Sequence, residues 1–214
     1  MLKILIVDDH ELVSTGISRV LQDEKTLIVV GSAASGEDAI EKTKLLEPDI
    51  ILMDVHMPGG IGGLGATKEI KRLFPKVKII ALSALDDNPY PSKLIEAGVS
   101  GYLTKGAPAK EMLEAIHTVS LGNKYITGSV AQKMALSKMS SEDNASPLDI
   151  LSDRELQIAQ MIIDCKKPQE IADSLNLSSK TVNTYRYRMF DKLNINSDVE
   201  LTKLAVRYSL LGMG

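Results

Sequence analysis

Three carboxylates, a hydroxyl and an amine stand at the ends of short apolar runs in the first half of the chain. Asp8 and Asp9 follow Ile4-Leu5-Ile6-Val7, Asp54 follows Ile50-Ile51-Leu52-Met53, Ser83 closes Lys78–Ser83, and Lys105 follows Gly101–Thr104. If those ends meet, the acids repel one another and raise each other's pKa values unless a cation lies among them. An all-oxygen set suits a hard divalent ion, most naturally Mg2+ retaining several waters. Beside such an ion an Asp carboxylate is a competent phosphoryl acceptor, because the metal neutralises the charge that develops. Lys105 can hold one incoming phosphoryl oxygen, and Ser83 can hydrogen-bond another. Each residue taken singly has a plainer reading: Asp8 or Asp9 as a helix N-cap, Asp54 as a turn residue, Lys105 as a surface lysine. The joint pattern is much harder to dismiss, since four of five strand ends carry matching groups.

A second group lies near the other end. Ser178–Asn194 carries Lys180, Arg186, Arg188 and Lys192 against Asp191 alone. Val182, Tyr185, Met189 and Leu193 recur at helical spacing and belong to a core stripe, while Lys180, Asn183, Thr184 and Tyr187 line another face. A helix with one apolar and one polar stripe can enter a DNA major groove. There Asn can pair with an adenine edge, Thr can meet a thymine methyl, and Arg can bind phosphate or guanine. The commoner meaning of such a charge run is a solvated helix face.

The elements that must position these groups follow from periodicity. Strands are expected at Lys3–Val7, Leu27–Ala33, Ile50–Asp54, Lys78–Ser83 and Gly101–Thr104. Helices are expected at Glu11–Gln22, Gly36–Leu46, Ala66–Leu73, Pro91–Ala97 and Pro108–Leu121. Five βα units predict an α/β fold, a doubly wound five-stranded parallel sheet covered by helices on both faces. Ligands of such sheets sit outside the carboxyl ends of the strands. Beyond residue 121 comes a short helix at Ser129–Leu136, then a polar linker from Ser137 to Pro147. Four amphipathic helices follow, at Ser152–Asp164, Pro168–Leu175, Ser178–Leu193 and Ser197–Leu211. The expected organisation is 1–121, a linker at 122–147, and 148–214.

The whole-chain numbers fit two ordinary domains in 214 residues. There is no Trp and there are only two Phe, so aliphatic side chains must build both cores. The apolar runs are strand-sized, far short of a membrane span. The first stops at Asp8-Asp9 with no small-residue cleavage site after it, which argues against a signal peptide. The lone Cys165 excludes an internal disulfide framework and fits a reducing cytoplasm; its apolar neighbours suggest a buried structural thiol. The net charge of −3 is uneven, because residues 151–214 hold nine Lys/Arg against eight Asp/Glu.

Ile6-Val7-Asp8-Asp9-His10, Leu52-Met53-Asp54-Val55-His56-Met57-Pro58, Ala81-Leu82-Ser83-Ala84 and Gly101-Tyr102-Leu103-Thr104-Lys105 resemble the receiver domain of response regulators over residues 2–121. The resemblance implies Asp54 as phosphoacceptor, Asp9 as a direct Mg2+ ligand, Asp8 as a ligand through water, and the His56 carbonyl as a further one. It also implies a switch in which Ser83 turns toward the phosphoryl group and Tyr102 swings inward, with the small Ala84 leaving access. Leu151-Ser152-Asp153-Arg154-Glu155, Glu170-Ile171-Ala172-Asp173-Ser174-Leu175 and Ser178-Ser179-Lys180-Thr181-Val182-Asn183-Thr184-Tyr185 are similar to the LuxR-type helix-turn-helix. Together they resemble the NarL/FixJ family. Thr181–Arg188, with Ser197-Asp198-Val199-Glu200-Leu201 downstream, looks closest to its GacA-type branch.

The family implies phosphotransfer from a sensor histidine kinase and binding of promoter DNA as a homodimer; the branch further implies activation of small regulatory RNA genes. Base contact carries over onto Asn183, Thr184 and Tyr187, near Thr181, and phosphate contact onto Lys180, Arg186, Arg188 and Lys192. Leu201, Leu204 and Leu211 of the last helix are either a dimer face or core. The chain departs from the pattern at one additional glycine in Gly59-Gly60-Ile61-Gly62-Gly63, at Gly65 where an acid is usual, and at Gly106 where many receivers have proline. A resting form in which the first domain covers Asn183–Tyr187 would explain control by phosphorylation. Two rivals remain: a phosphatase with an aspartyl nucleophile, whose usual Asp-x-Asp spacing is missing, and a DNA-binding protein indifferent to phosphorylation.

Overall fold

Alternation decides where each strand residue goes. In β1 (Leu2–Val7), Ile4 and Ile6 pack with Ile17, Leu21, Ile116 and Val119 on one side of the sheet, while Leu5 and Val7 face the other side with Ala39, Leu64 and Ile70. The remaining strands are β2 (Leu27–Ala33), β3 (Ile50–Asp54), β4 (Lys78–Ser83), β5 (Gly101–Thr104) and β6 (Tyr125–Ile126). All pair in parallel, in the order β2-β1-β3-β4-β5-β6. Burial on both faces is why β3 and β4 read as nearly continuous apolar runs. The structure, a computed structural model, describes residues 1–83, 90–139 and 147–207.

Among the described residues six helices accompany the sheet: α1 (Glu11–Gln22), α2 (Gly36–Leu46), α3 (Gly62–Leu73), α4 (Tyr90–Glu96), α5 (Ala109–Ser120) and α6 (Gly128–Met139). The five-stranded expectation is corrected to six, because Tyr125 and Ile126 pair with Gly101 and Tyr102. Two residues between polar neighbours show no periodicity to read. Helix α3 begins at Gly62, ahead of the expected Ala66. A Cβ at Gly63 would overlap the Asp54 carbonyl, so glycine lets this first turn lie directly against the end of β3. Helix α6 extends to Met139, into the expected linker; residues 140–146 of that linker lie outside the described residues.

The remaining described chain is helical: a 3-10 turn at Pro147–Ile150, then α7 (Asp153–Ile163), α8 (Pro168–Ser174), α9 (Ser179–Leu193) and α10 (Asp198–Arg207). Local signals set the boundaries. Ser152 and Glu155 form a capping box at the start of α7, Pro168 opens α8, and the Ser178 side chain accepts from the Thr181 amide at the start of α9. Asn194, at φ 52°, ends α9 in the left-handed region. Val182, Met189 and Leu193 are buried as the stripe requires, with Tyr185 packed at the margin. One expectation fails here, and one pair of alternatives is decided. Cys165 is exposed, because α7 ends at Ile163 and the chain turns left-handed at φ 60°. Leu201 is fully buried and Leu204 packs on the core, so the exposed apolar residues of α10 are Val199 and Val206. Leu211 lies outside the described residues.

Candidate functional site

The strand order reverses between β1 and β3, and at that point the ends of both strands face one crevice. Pairing of Val7 with Met53 brings Asp8 beside Asp54, while Ser83 pairs with Thr104 on the far side. Asp54 is fully buried and Asp8 nearly so. Lys105 Nζ lies 2.7 Å from Asp8 Oδ2 and 2.9 Å from Asp54 Oδ2. Apart from that ammonium, neither oxygen has a hydrogen-bonding partner among the described residues. Asp54 Oδ1 accepts from the His56 amide at 3.0 Å, and Asp8 Oδ1 from the His10 amide at 2.8 Å.

The electrostatics follow. Burial raises the Asp54 pKa, and Lys105 and the His56 amide offset only part of that rise. Burial alone would lower the Lys105 pKa; its bonds to Asp8 and Asp54 outweigh this, and the net shift is upward. Oxygens of Asp8, Asp9 and Asp54 and a ring nitrogen of His10 all lie within 4.8 Å of one another. Three converging carboxylates, two with buried oxygens served by a single lysine, are compatible with a hard divalent ion. His10 Nδ1 stands 3.0 Å from Asp9 Oδ1, a neighbour the sequence did not single out.

The other expected site residues divide. Ser83 is buried at the end of β4, and its carbonyl accepts from the Lys105 amide at 2.7 Å. Ala84 lies outside the described residues. Tyr102 is already fully buried among the apolar residues around Tyr90 and Leu94, so the expected inward swing has no exposed starting point here. The His56 ring packs on Tyr90 with centroids 4.7 Å apart, and burial followed by the charge of Lys105 lowers its pKa to about 4.

On α9, Lys180, Thr184, Tyr187 and Arg188 are exposed, Tyr187 by 69%, and Asn183 is half-buried. The Thr181 hydroxyl is engaged with that of Ser178, and the Thr184 hydroxyl donates to the Lys180 carbonyl, which leaves Thr184 its methyl for a base. Two of the expected phosphate ligands are committed within the fold. Lys192 Nζ reaches Glu155 Oε2 at 2.6 Å, and Arg186 bonds Asp198 at 2.5 Å and Asn183 Oδ1 at 3.0 Å.

Residues 4–117 match the response regulator receiver domain family, and residues 149–205 match the luxR family of bacterial regulatory proteins. The chain is 52% identical over 211 residues to the response regulator GacA of Pseudomonas syringae pv. syringae, covering 99% of this chain and 98% of that one. It is 52% identical over 210 residues to the response regulator UvrY of Escherichia coli, covering 98% and 96%. A structure of the RcsB response regulator of Salmonella typhimurium superposes with a TM-score of 0.73 at 25% identity, covering 98% and 97%. The chain belongs to the NarL/FixJ family of response regulators. It is a two-component regulator that joins a receiver to a LuxR-type DNA-binding domain. Among the described residues no helix is long and apolar enough to cross a membrane.

In this NarL/FixJ regulator the two domains touch beside the acidic crevice. Arg154 donates to the Gly60 carbonyl at 2.7 Å, Gln157 donates to the same oxygen at 3.2 Å, and the Gly60 amide donates to the Ser174 carbonyl at 3.1 Å. Lys68 pairs with Asp153, and Lys93 donates to the Leu151 carbonyl. Gly60 is the residue that suits the additional position in the loop. It sits at φ 59°, where a Cβ would strike the Glu37 carboxylate, and that carboxylate accepts from the Ile61 amide. A cavity of about 670 Å³ lies along this seam, lined by His56, Tyr90, Gln160 and Asp164 among others. The receiver therefore meets α7 and the end of α8, and the expectation that it covers Asn183–Tyr187 is corrected. Arg154, Gln157 and Ser174 gave no signal in the sequence; the surplus glycine did.

Proposed function

We propose that Asp54 accepts a phosphoryl group from a sensor histidine kinase and that this frees the helical segment 148–214 to bind promoter DNA as a homodimer. When bound, Mg2+ held by Asp8, Asp9, Asp54 and the His56 carbonyl would supply the positive charge that offsets the developing phosphoryl charge. An Asp54 oxygen attacks phosphorus as the donor's nitrogen–phosphorus bond breaks, giving an acyl phosphate. Lys105 passes from the carboxylates to a phosphoryl oxygen, and Ser83 binds another. The same pocket would take phosphate from small donors and lose it to water, which is the extent of its catalysis. GacA-type resemblance extends the reading to promoters of small regulatory RNA genes.

Release follows from position. The Gly59–Ile61 segment joins the strand that carries Asp54 to α3, and Gly60 makes three of the bonds that hold α7 and α8. A new charged group at Asp54 shifts this segment and favours the undocked population. Lys180, Thr184, Tyr187 and Arg188 are exposed in the docked arrangement as well; undocking lets two helical segments come together, with Val199 and Val206 as the apolar face for pairing, and present these residues to DNA jointly.

The observation that carries this reading is the fully buried Asp54 carboxylate, 2.9 Å from Lys105 beside Asp8. Incubation of the full chain with a small-molecule phosphoryl donor and Mg2+ should place phosphate on Asp54, and Asp54→Asn should take up none. Undiminished incorporation in that variant would remove Asp54 from the role.

A further inference from the structure

The seam between the two domains encloses space as well as hydrogen bonds. Its cavity of about 670 Å³ falls in the size range of small-molecule sites, and both domains supply its walls. Val55, Met57 and Leu64 of the receiver line it together with Met161 and Leu175 of the helical domain, and all five are buried. The two thioether side chains can adapt to an apolar guest. One polar group stands among them: Tyr90 is only 7% exposed, its ring packs on His56, and no described residue bonds its hydroxyl. A guest that bonds such a group gains from the contact. Burial, followed by the charge of Asp164, raises the Tyr90 pKa, so negative potential reaches this end of the cavity.

The charge on the walls selects the guest. Asp9, at one end, belongs to the acidic crevice. Of the other lining residues Glu37, Asp153 and Asp164 are acidic, and Arg154 is the one permanent cation among those described. Asp153 is paired with Lys68, whereas Glu37 and Asp164 have no basic group within ion-pairing distance among the described residues. Arg154 already donates to the Gly60 and Leu175 carbonyls and to Gln157 Oε1, so an anion would have to displace those bonds. We infer that the seam is a binding site for a small organic amine, its apolar body between Met57 and Met161 and its ammonium group toward Asp164 and the Tyr90 hydroxyl. Such a guest touches both domains and therefore binds the docked arrangement. By linkage it opposes DNA binding, a consequence that rests on the reading above, in which docking and DNA binding exclude each other.

The test uses phenylbutylamine, phenylbutanol and phenylbutyrate, alike in shape and different in charge, each titrated calorimetrically into the full unphosphorylated chain. The amine should bind, the alcohol should bind about fivefold more weakly, and the carboxylate more weakly still. Asp164→Asn should bring the amine and the alcohol to equal affinity. Gln160→Trp, at a half-buried wall position from which a large ring enters the cavity, should abolish binding. If that variant does not fold, Tyr90→Phe serves instead and should weaken the amine about fivefold. Absence of amine binding, equal affinity for all three probes, or amine binding unchanged in Asp164→Asn and in the cavity variant alike would overturn the site. Saturating amine should also lower the DNA affinity of the unphosphorylated chain. Amine binding that responds to these substitutions yet leaves DNA affinity unchanged would uphold the site and overturn the reading in which docking controls access to DNA.

Discussion

The acidic pocket draws its groups from residues 8, 9, 54, 83 and 105, far apart in the chain, whereas α9 carries its candidate contacts between Lys180 and Lys192. In the pocket, strand register and close packing fix each group, so Asp54 and Ser83 have no exposure at all and Lys105 bridges two acids. On α9, proximity along one helix fixes little. Arg186 and Lys192 carry the same charge as Lys180 and Arg188, yet the first two are tied to Asp198 and Glu155. A site gathered by topology declares its members by convergence. A site laid along one helix must be sorted by asking which side chains already have partners.

Four substitutions sharpen or break this contrast. The largest effect belongs to Lys105→Met without divalent ions, which leaves Asp8 and Asp54 buried side by side with no cation. Removing one partner of a buried ion pair typically costs about 3 kcal/mol or more, so urea unfolding should shift by about that amount, and Mg2+ should restore part of it. A loss near zero would show that the pocket does not depend on its lysine. Next, Glu155→Ala removes both the α7 capping box and the Lys192 partner and should cost about 2 kcal/mol. If Lys192→Met weakens DNA binding while thermal stability is unchanged, Lys192 belongs with the DNA contacts after all. The smallest effect is expected of Arg154→Ala, which removes one of the interdomain hydrogen bonds at Gly60. A loss of about 1.4 kcal/mol from docking would raise the DNA affinity of the unphosphorylated chain about tenfold in a titration.

Much of the receiver was legible because its strands are apolar runs of four to seven residues, bounded by turn residues and acids. Where the signal shrank, so did the reading. The Tyr125–Ile126 strand has two residues, and its place at the sheet edge is decided by Gly101 and Tyr102, which lie more than twenty positions earlier. The early start of α3 depends on Gly63 touching the Asp54 carbonyl, a contact that periodicity does not encode. The helical pattern gives Cys165 apolar neighbours, but its exposure depends on a left-handed turn one residue past the cap of α7. On α9 the faces were legible and the pairings were not, since Asp198 lies on α10 and Glu155 on α7. The interdomain contact was the least legible part. Arg154 and Gly60 are 94 positions apart, and only the surplus glycine marked the loop as unusual.

The central claim is that a phosphoryl group on Asp54 controls access of the helical domain to DNA. The direct measurement is DNA affinity of the full chain and of Asp54→Asn, side by side, with and without a small-molecule phosphoryl donor and Mg2+. The account predicts a gain on the order of tenfold or more for the parent chain and none for the variant. An equal gain in both, or no gain in the parent chain despite phosphate on Asp54, would contradict it.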